Sequence, residues 1–181
     1  GQGDELDGLE ERAKSCGAEK LYIEDGITYV QCVVRLMENV KEIRLPKTLE
    51  TLDGLSFKEC GQLKKLNFNV IFKFGIIPER MFSGALNLDK TLVIPGNVKT
   101  IGRYAFDGAG VKKVVFKEGV EIIDQGAFAY SDVVEVELPS SMKIIGELAF
   151  LECKLKNVTI KSGDIRVGTT AFDKNVKVIY K

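Results

Sequence analysis

Residues 111–132 read VKKVVFKEGVEIIDQGAFAYSD, and residues 133–154 read VVEVELPSSMKIIGELAFLECK. Laid over one another, the two stretches put apolar residues at the same offsets. Val111 falls on Val133, Val114 on Val136, Phe116 on Leu138, Val120 on Met142, Ile123 on Ile145, and Ala127-Phe128 on Ala149-Phe150. Apolar positions that recur at one fixed interval mark a chain built from stacked copies of one supersecondary unit.

The register extends in both directions. Phe106, Phe128, Phe150 and Phe172 are each 22 residues apart, Phe82 lies 24 before Phe106, and Phe57 lies 25 before Phe82. Downstream, Leu155, Val158, Ile160, Val167 and Ala171-Phe172 repeat the unit. Upstream, Leu92, Ile94, Val98, Ile101 and Phe106 keep it, as do Val40, Ile43, Leu45, Leu49, Leu52 and Phe57. Another unit runs Leu63, Leu66, Phe68, Phe74, Ile77, Phe82 and carries two extra residues, which predicts a bulged convex loop at 69–73. Residues 40–175 thus hold six repeats of about 22–25 residues, and 176–181 read as a final strand. In the last repeat Asp164 takes the place of Val120, so Ile165 is expected to turn inward instead.

Each position has a physical reason. The alternation ending in Val114-x-Phe116 fits a short strand with one buried face. Pro46, Pro95 and Pro139 follow the last apolar residue of their strands, where the lack of an N–H ends a ladder. Gly102, Gly146, Gly168, Asp53 and Asp124 follow the next apolar position, as expected where a turn resists larger side chains. The Ala-Phe step supplies one small and one large core group per coil. A single coil cannot bury that face alone, and stacking closes it.

Residues 1–39 do not fit the repeat. Leu6, Leu9, Ala13 and Cys16 share a helical face, and Asp25-Gly26 between two β-prone runs is a hairpin signal. The segment is expected to be an N-terminal cap with a helix and a hairpin, covering the open end of the solenoid.

Composition narrows the chemistry. Lys+Arg and Asp+Glu both number 26, so no net charge draws the chain to nucleic acid or to an anionic membrane. No apolar run approaches the roughly 18 residues of a membrane span, and no signal peptide is legible. The chain has no His, the commonest general base and metal ligand. Cys16, Cys32, Cys60 and Cys153 form no Cys-x-x-Cys pair. Gly108-Ala109-Gly110 lacks a following Gly-Lys-Ser/Thr and reads as a turn. No catalytic constellation, metal site or cofactor motif follows from these residues.

The unit resembles the BspA-like leucine-rich repeat family. The resemblance rests on Val93-Ile94-Pro95, Val98-Lys99-Thr100-Ile101-Gly102 and Tyr104-Ala105-Phe106, and on Cys60 and Cys153 three residues after their Phe. It implies a right-handed leucine-rich-repeat solenoid, with a parallel sheet on one face and turns and short helical segments on the other. It also implies a cell-surface or secreted protein of a host-associated bacterium that works in adhesion or protein binding. On that basis the expected function is a non-catalytic, surface-exposed module for protein–protein interaction. The alternative is a carbohydrate-binding or spacer domain of a cell-envelope assembly. The partner would be a host or cell-envelope protein, without nucleic acid or membrane insertion.

The outward strand positions supply the candidate face. One row is expected to run Glu42, Lys65, Thr91, Lys113, Glu135, Asn157, and the next Arg44, Asn67, Val93, Val115, Glu137, Thr159. Lys65, Val93, Lys113, Val115, Glu135 and Glu137 are the candidate binding residues, because an apolar strip rimmed by charge suits a protein contact.

Overall fold

The computed structural model describes residues 17–30, 39–52, 56–88, 90–161 and 163–181. Its strands are β1 (Lys20–Tyr22), β2 (Tyr29–Val30), β3 (Glu42–Arg44), β4 (Thr51–Leu52), β5 (Lys65–Leu66), β6 (Ile76–Ile77), β7 (Thr91–Ile94) and β8 (Thr100–Ile101). There follow β9 (Lys113–Phe116), β10 (Ile122–Ile123), β11 (Glu135–Glu137), β12 (Ile144–Ile145), β13 (Asn157–Ile160), β14 (Arg166–Val167) and β15 (Lys177–Tyr180). One helical turn, α1 (Phe68–Phe72), separates β5 from β6. Each strand pairs in parallel with the strand one coil away and not with its neighbour in sequence. That pattern makes the chain a parallel β-solenoid.

Two strand ladders run along the solenoid. Strands of two to four residues form the sheets β1-β3-β5, β7-β9-β11 and β13-β15; two-residue strands form β2-β4 and β6-β8-β10-β12-β14. A third row of inter-coil bonds runs through the Ala-Phe turns. Phe82 N donates to Ala105 O at 2.7 Å, Phe106 N to Ala127 O at 2.7 Å, Phe128 N to Ala149 O at 2.8 Å, and Phe150 N to Ala171 O at 2.8 Å. Hydrogen-bonded turns thus occupy the face where short helical segments were expected, and the second ladder stands beside them.

The core is the repeat read along its axis. Val111, Val114, Phe116, Val120, Ile123, Ala127 and Phe128 are all buried. Phe57, Phe82, Phe106, Phe128, Phe150 and Phe172 stack ring on ring, with centroids 5.4, 5.0, 5.0, 5.3 and 5.4 Å apart in that order. Asp164 is exposed and Ile165 packs against the core, as the last repeat requires.

Three local expectations change. Asp25-Gly26 does not make a hairpin: β1 pairs with β3 and β2 with β4, both in parallel, so the turn separates two sides of one coil. Residues 20–30 are therefore a coil stacked on the first expected repeat. The helix expected at Leu6–Cys16 lies outside the described residues, as do Cys32 and Asp53. The extra residues at 69–73 do not bulge outward as a loop. They fold into α1 because Val70 and Ile71 bury there, while Phe68 packs on Phe82 at 5.4 Å. Finally, the glycines after the second ladder answer to close approach between coils. A Cβ would lie 2.8 Å from Ile77 O at Gly102, 2.7 Å from Gln125 N at Gly146, and 2.7 Å from Glu147 N at Gly168. At Gly110 it would overlap Leu86 O at 1.6 Å, which explains that glycine without any phosphate loop.

Positive φ sits elsewhere, two residues to either side of the core Phe. Tyr104 and Gly108 flank Phe106, Gly126 and Tyr130 flank Phe128, and Leu148 and Glu152 flank Phe150. A side chain in this region costs about 1 kcal/mol or more. Inter-coil bonds offset it, among them Tyr104 N to Gln125 O at 3.0 Å and Tyr130 N to Leu151 O at 2.7 Å.

Phe128 is fully buried between Phe106 and Phe150, and Phe116 meets it edge-on at 5.9 Å. Phe128→Ala is expected to destabilise the fold by about 3–5 kcal/mol, from lost transfer energy plus a cavity. Chemical denaturation checks this. An unchanged midpoint would show that the ring does not hold the coils.

Candidate functional site

The face formed by β7, β9 and β11 presents every second side chain outward, as strand geometry demands. Register fixes two rows: Thr91, Lys113 and Glu135, then Val93, Val115 and Glu137. Between them Leu92 and Val114 point into the core and are buried. The expected neighbours on this face are therefore neighbours in space.

Charge joins the rows. Lys113 Nζ lies 2.7 Å from Glu135 Oε1 and 2.6 Å from Glu137 Oε1. The ammonium bridges along its own row and diagonally into the next. The hydrogen bond from Lys113, and then its charge, hold the Glu137 carboxyl below the ordinary carboxylate range. The bonds to Glu135 and Glu137 in turn raise the Lys113 ammonium above the usual lysine value. The two glutamates thus share one lysine. Beside this triad Val93 is 44% exposed and Val115 is half-buried.

Lys65 stands apart. Its row is Lys20, Glu42, Lys65 in the sheet β1-β3-β5, and no ladder joins β5 to β7. The expected continuous row therefore breaks between Lys65 and Thr91. The extra residues of that coil lift the chain out of the ladder into α1. Asn67 completes the edge: Leu45 N donates to its Oδ1 at 2.8 Å, and its Nδ2 donates to Leu45 O at 2.9 Å. A side-chain amide replaces the missing peptide.

The break leaves a cleft of about 450 Å³ lined by Lys64, Leu86, Asn87, Leu88, Lys90, Gly110, Lys112 and Asp132. The repeat comparison did not find these lysines, because they precede the strand and alternate with nothing. Elsewhere Cys60 is buried. Cys153 is a half-buried thiol that donates to Phe128 O at 3.1 Å, and burial pushes it up to about 11. A thiol held so is a core group, not a nucleophile. Among the described residues no three His, Cys, Asp or Glu side chains gather as metal ligands, and no helix is long and apolar enough to cross a membrane.

The pattern of the BspA type Leucine rich repeat region occurs here in six copies, matched over residues 13–132 and 72–179. The chain belongs to this family. The match begins at residue 13, which agrees with the coil at β1 and β2. Among solved structures, a leucine-rich repeat protein from Bacteroides ovatus ATCC 8483 is similar in fold, with a TM-score of 0.62 and 22% identity over 89% of this chain. The BspA-type chain spans about half of that protein, 48% of its length. No curated protein matches.

The Glu137 carboxylate adds stability above the ordinary glutamate pKa, and that contribution is lost as pH falls through its lowered value. Lys113 contributes below the ordinary lysine value and loses it as pH rises through the raised one. A carbon-detected NMR titration of Glu137 should give a midpoint below that of an isolated glutamate. In Lys113→Met the midpoint should move back up. An unmoved midpoint would separate the two side chains.

Proposed function

We propose that this BspA-type solenoid is a surface-exposed binding or adhesion module whose partner is a protein, contacted through the face of β7, β9 and β11. Repeats of this family commonly serve protein interaction. The observation that carries the reading is the juxtaposition of exposed Val93 and half-buried Val115 with the Lys113–Glu135–Glu137 triad. An apolar strip gives contact area, and a charged rim selects the partner and its register.

The surface is also rigid. The central strand β9 is laddered on both sides, to β7 and β11, so binding there orders little backbone. Lys113 is held between its two glutamates before any partner arrives. The family resemblance supports a location at the cell surface or among secreted proteins. A leucine-rich repeat scaffold is typically non-catalytic, and the carboxylates here are engaged in holding a lysine.

The test is to capture partners from host extracellular matrix and from the native cell envelope, then measure affinity with variants whose folding is verified. Val115→Lys and Glu137→Lys should each weaken binding about tenfold or more, because a new charge is desolvated or mispaired. Arg103→Glu, on the turn face, should leave it unchanged. Loss with Arg103→Glu alone would move the site to the turns.

A further inference from the structure

We infer that the solenoid has a parting line at α1, along which the coils of β1–β5 open as one unit while those of β6–β15 stay folded. The proposed protein contact is not a premise of this inference.

Both strand ladders stop in the coil that carries α1, and they stop on opposite sides of it. β5 pairs back to β3 and ends its sheet, with no ladder onward to β7. β6 pairs forward to β8 and begins its sheet, with no ladder back to β4. The first strand of this coil therefore belongs with the coils before it, and the second with the coils after it. The ends of α1 divide in the same way. Asn67, just before it, clasps the backbone of Leu45 beside β3. Phe72 O, at its last residue, accepts from Asn97 Nδ2 at 2.7 Å, and Gly75 O accepts from Lys99 N at 2.7 Å.

An interior boundary is held very differently. Between the coil of β7 and β8 and the coil of β9 and β10, both ladders are present, and Tyr104, Phe106 and Gly108 donate across the turns as well. Across the parting line, among the described residues, the backbone bonds are those of the turn row alone. Phe57 N donates to Met81 O at 3.1 Å and Glu59 N to Ser83 O at 2.7 Å. Side chains add Lys73 Nζ to Lys47 O at 3.1 Å, Asn87 Nδ2 to Gly61 O at 2.6 Å, and the stack of Phe57 on Phe82 at 5.4 Å.

In a stacked repeat each coil contacts only its neighbours, so stability is a sum over coils and the boundaries between them. The boundary with the weakest bonding opens first and divides the chain into cooperative units. A helix of five residues has little stability of its own and does not replace two missing ladders. The sheets β1-β3-β5 and β2-β4 lie wholly on one side of the line, so the coils they join move together. The strands β7, β9 and β11 lie wholly on the other, so opening leaves their face intact.

Native-state hydrogen exchange of the whole chain, read amide by amide by NMR, tests this. On the N-terminal side Ile23, Thr51 and Lys65 donate to Arg44 O, Thr28 O and Lys41 O; on the other side Lys113, Asp124 and Gly146 donate to Lys90 O, Ile101 O and Ile123 O. The first three amides should share one protection factor, about tenfold or more below the one shared by the second three. Phe57→Leu weakens the ring contact across the line, and it should lower protection of the first set about threefold or more while leaving the second unchanged. Equal protection of both sets in the unsubstituted chain overturns the proposal. So does a gradual rise from Ile23 to Gly146 without a step at α1, which would mean fraying coil by coil. Equal losses in both sets in Phe57→Leu would show a single cooperative unit and overturn it as well.

Discussion

The phenylalanine stack is the contact on which the other features of this molecule depend. Six rings, from Phe57 to Phe172, lie within 13° of parallel to their neighbours, with centroids 5.0–5.4 Å apart. Carbon atoms in contact lie about 3.5–4.0 Å apart, so near-parallel rings with centroids this far apart touch when they are offset, the arrangement their quadrupoles favour. To sustain it, every coil must repeat its neighbour closely. The small Ala before the Phe, the glycines pressed on the preceding coil's backbone, and the left-handed residues flanking Phe82, Phe106, Phe128 and Phe150 all follow from that demand. The flat strand face is the outward consequence of the same regularity.

Much of this was legible because the rings are large, aromatic and regularly spaced. The strand rows were legible for the same reason: once Phe128 and Phe150 are aligned, Lys113 and Glu135 must be neighbours. The coil at β1 and β2 was not recognised, although Leu21, Ile23, Ile27 and Val30 stand 22 residues before Ile43, Leu45, Leu49 and Leu52. That coil lacks the Ala-Phe step, and Asp25-Gly26 carries a local hairpin preference that stacking overrides. The second ladder was hidden because its strands are two residues long and show no alternation. Whether an insertion bulges out or folds in depends on burial that only the assembled core supplies, so α1 was read as a loop.

The charge pattern divides the strand surface between two chemistries. At β9 and β11 one lysine bridges two glutamates, which leaves a net negative charge beside half-exposed valine. At the break before β7, Lys64, Lys90 and Lys112 line a cleft together with Asp132, which Lys154 holds. Both arise from one rule: in a solenoid, residues 22 apart become neighbours, so small differences between repeats set the local field. The 26-residue interval between Lys64 and Lys90 coincides with the break between the sheets β1-β3-β5 and β7-β9-β11.

The central claim is that the coils are coupled ring to ring. A double-mutant cycle on Phe106→Leu and Phe128→Leu, set beside one on Phe82→Leu and Phe150→Leu, measures this directly. Phe106 and Phe128 stack at 5.0 Å, whereas two rings separate Phe82 from Phe150. The account predicts a coupling energy of about 0.5–1.5 kcal/mol for the adjacent pair and additivity within about 0.5 kcal/mol for the distant one. No coupling between Phe106 and Phe128, or equal coupling in both cycles, would contradict it.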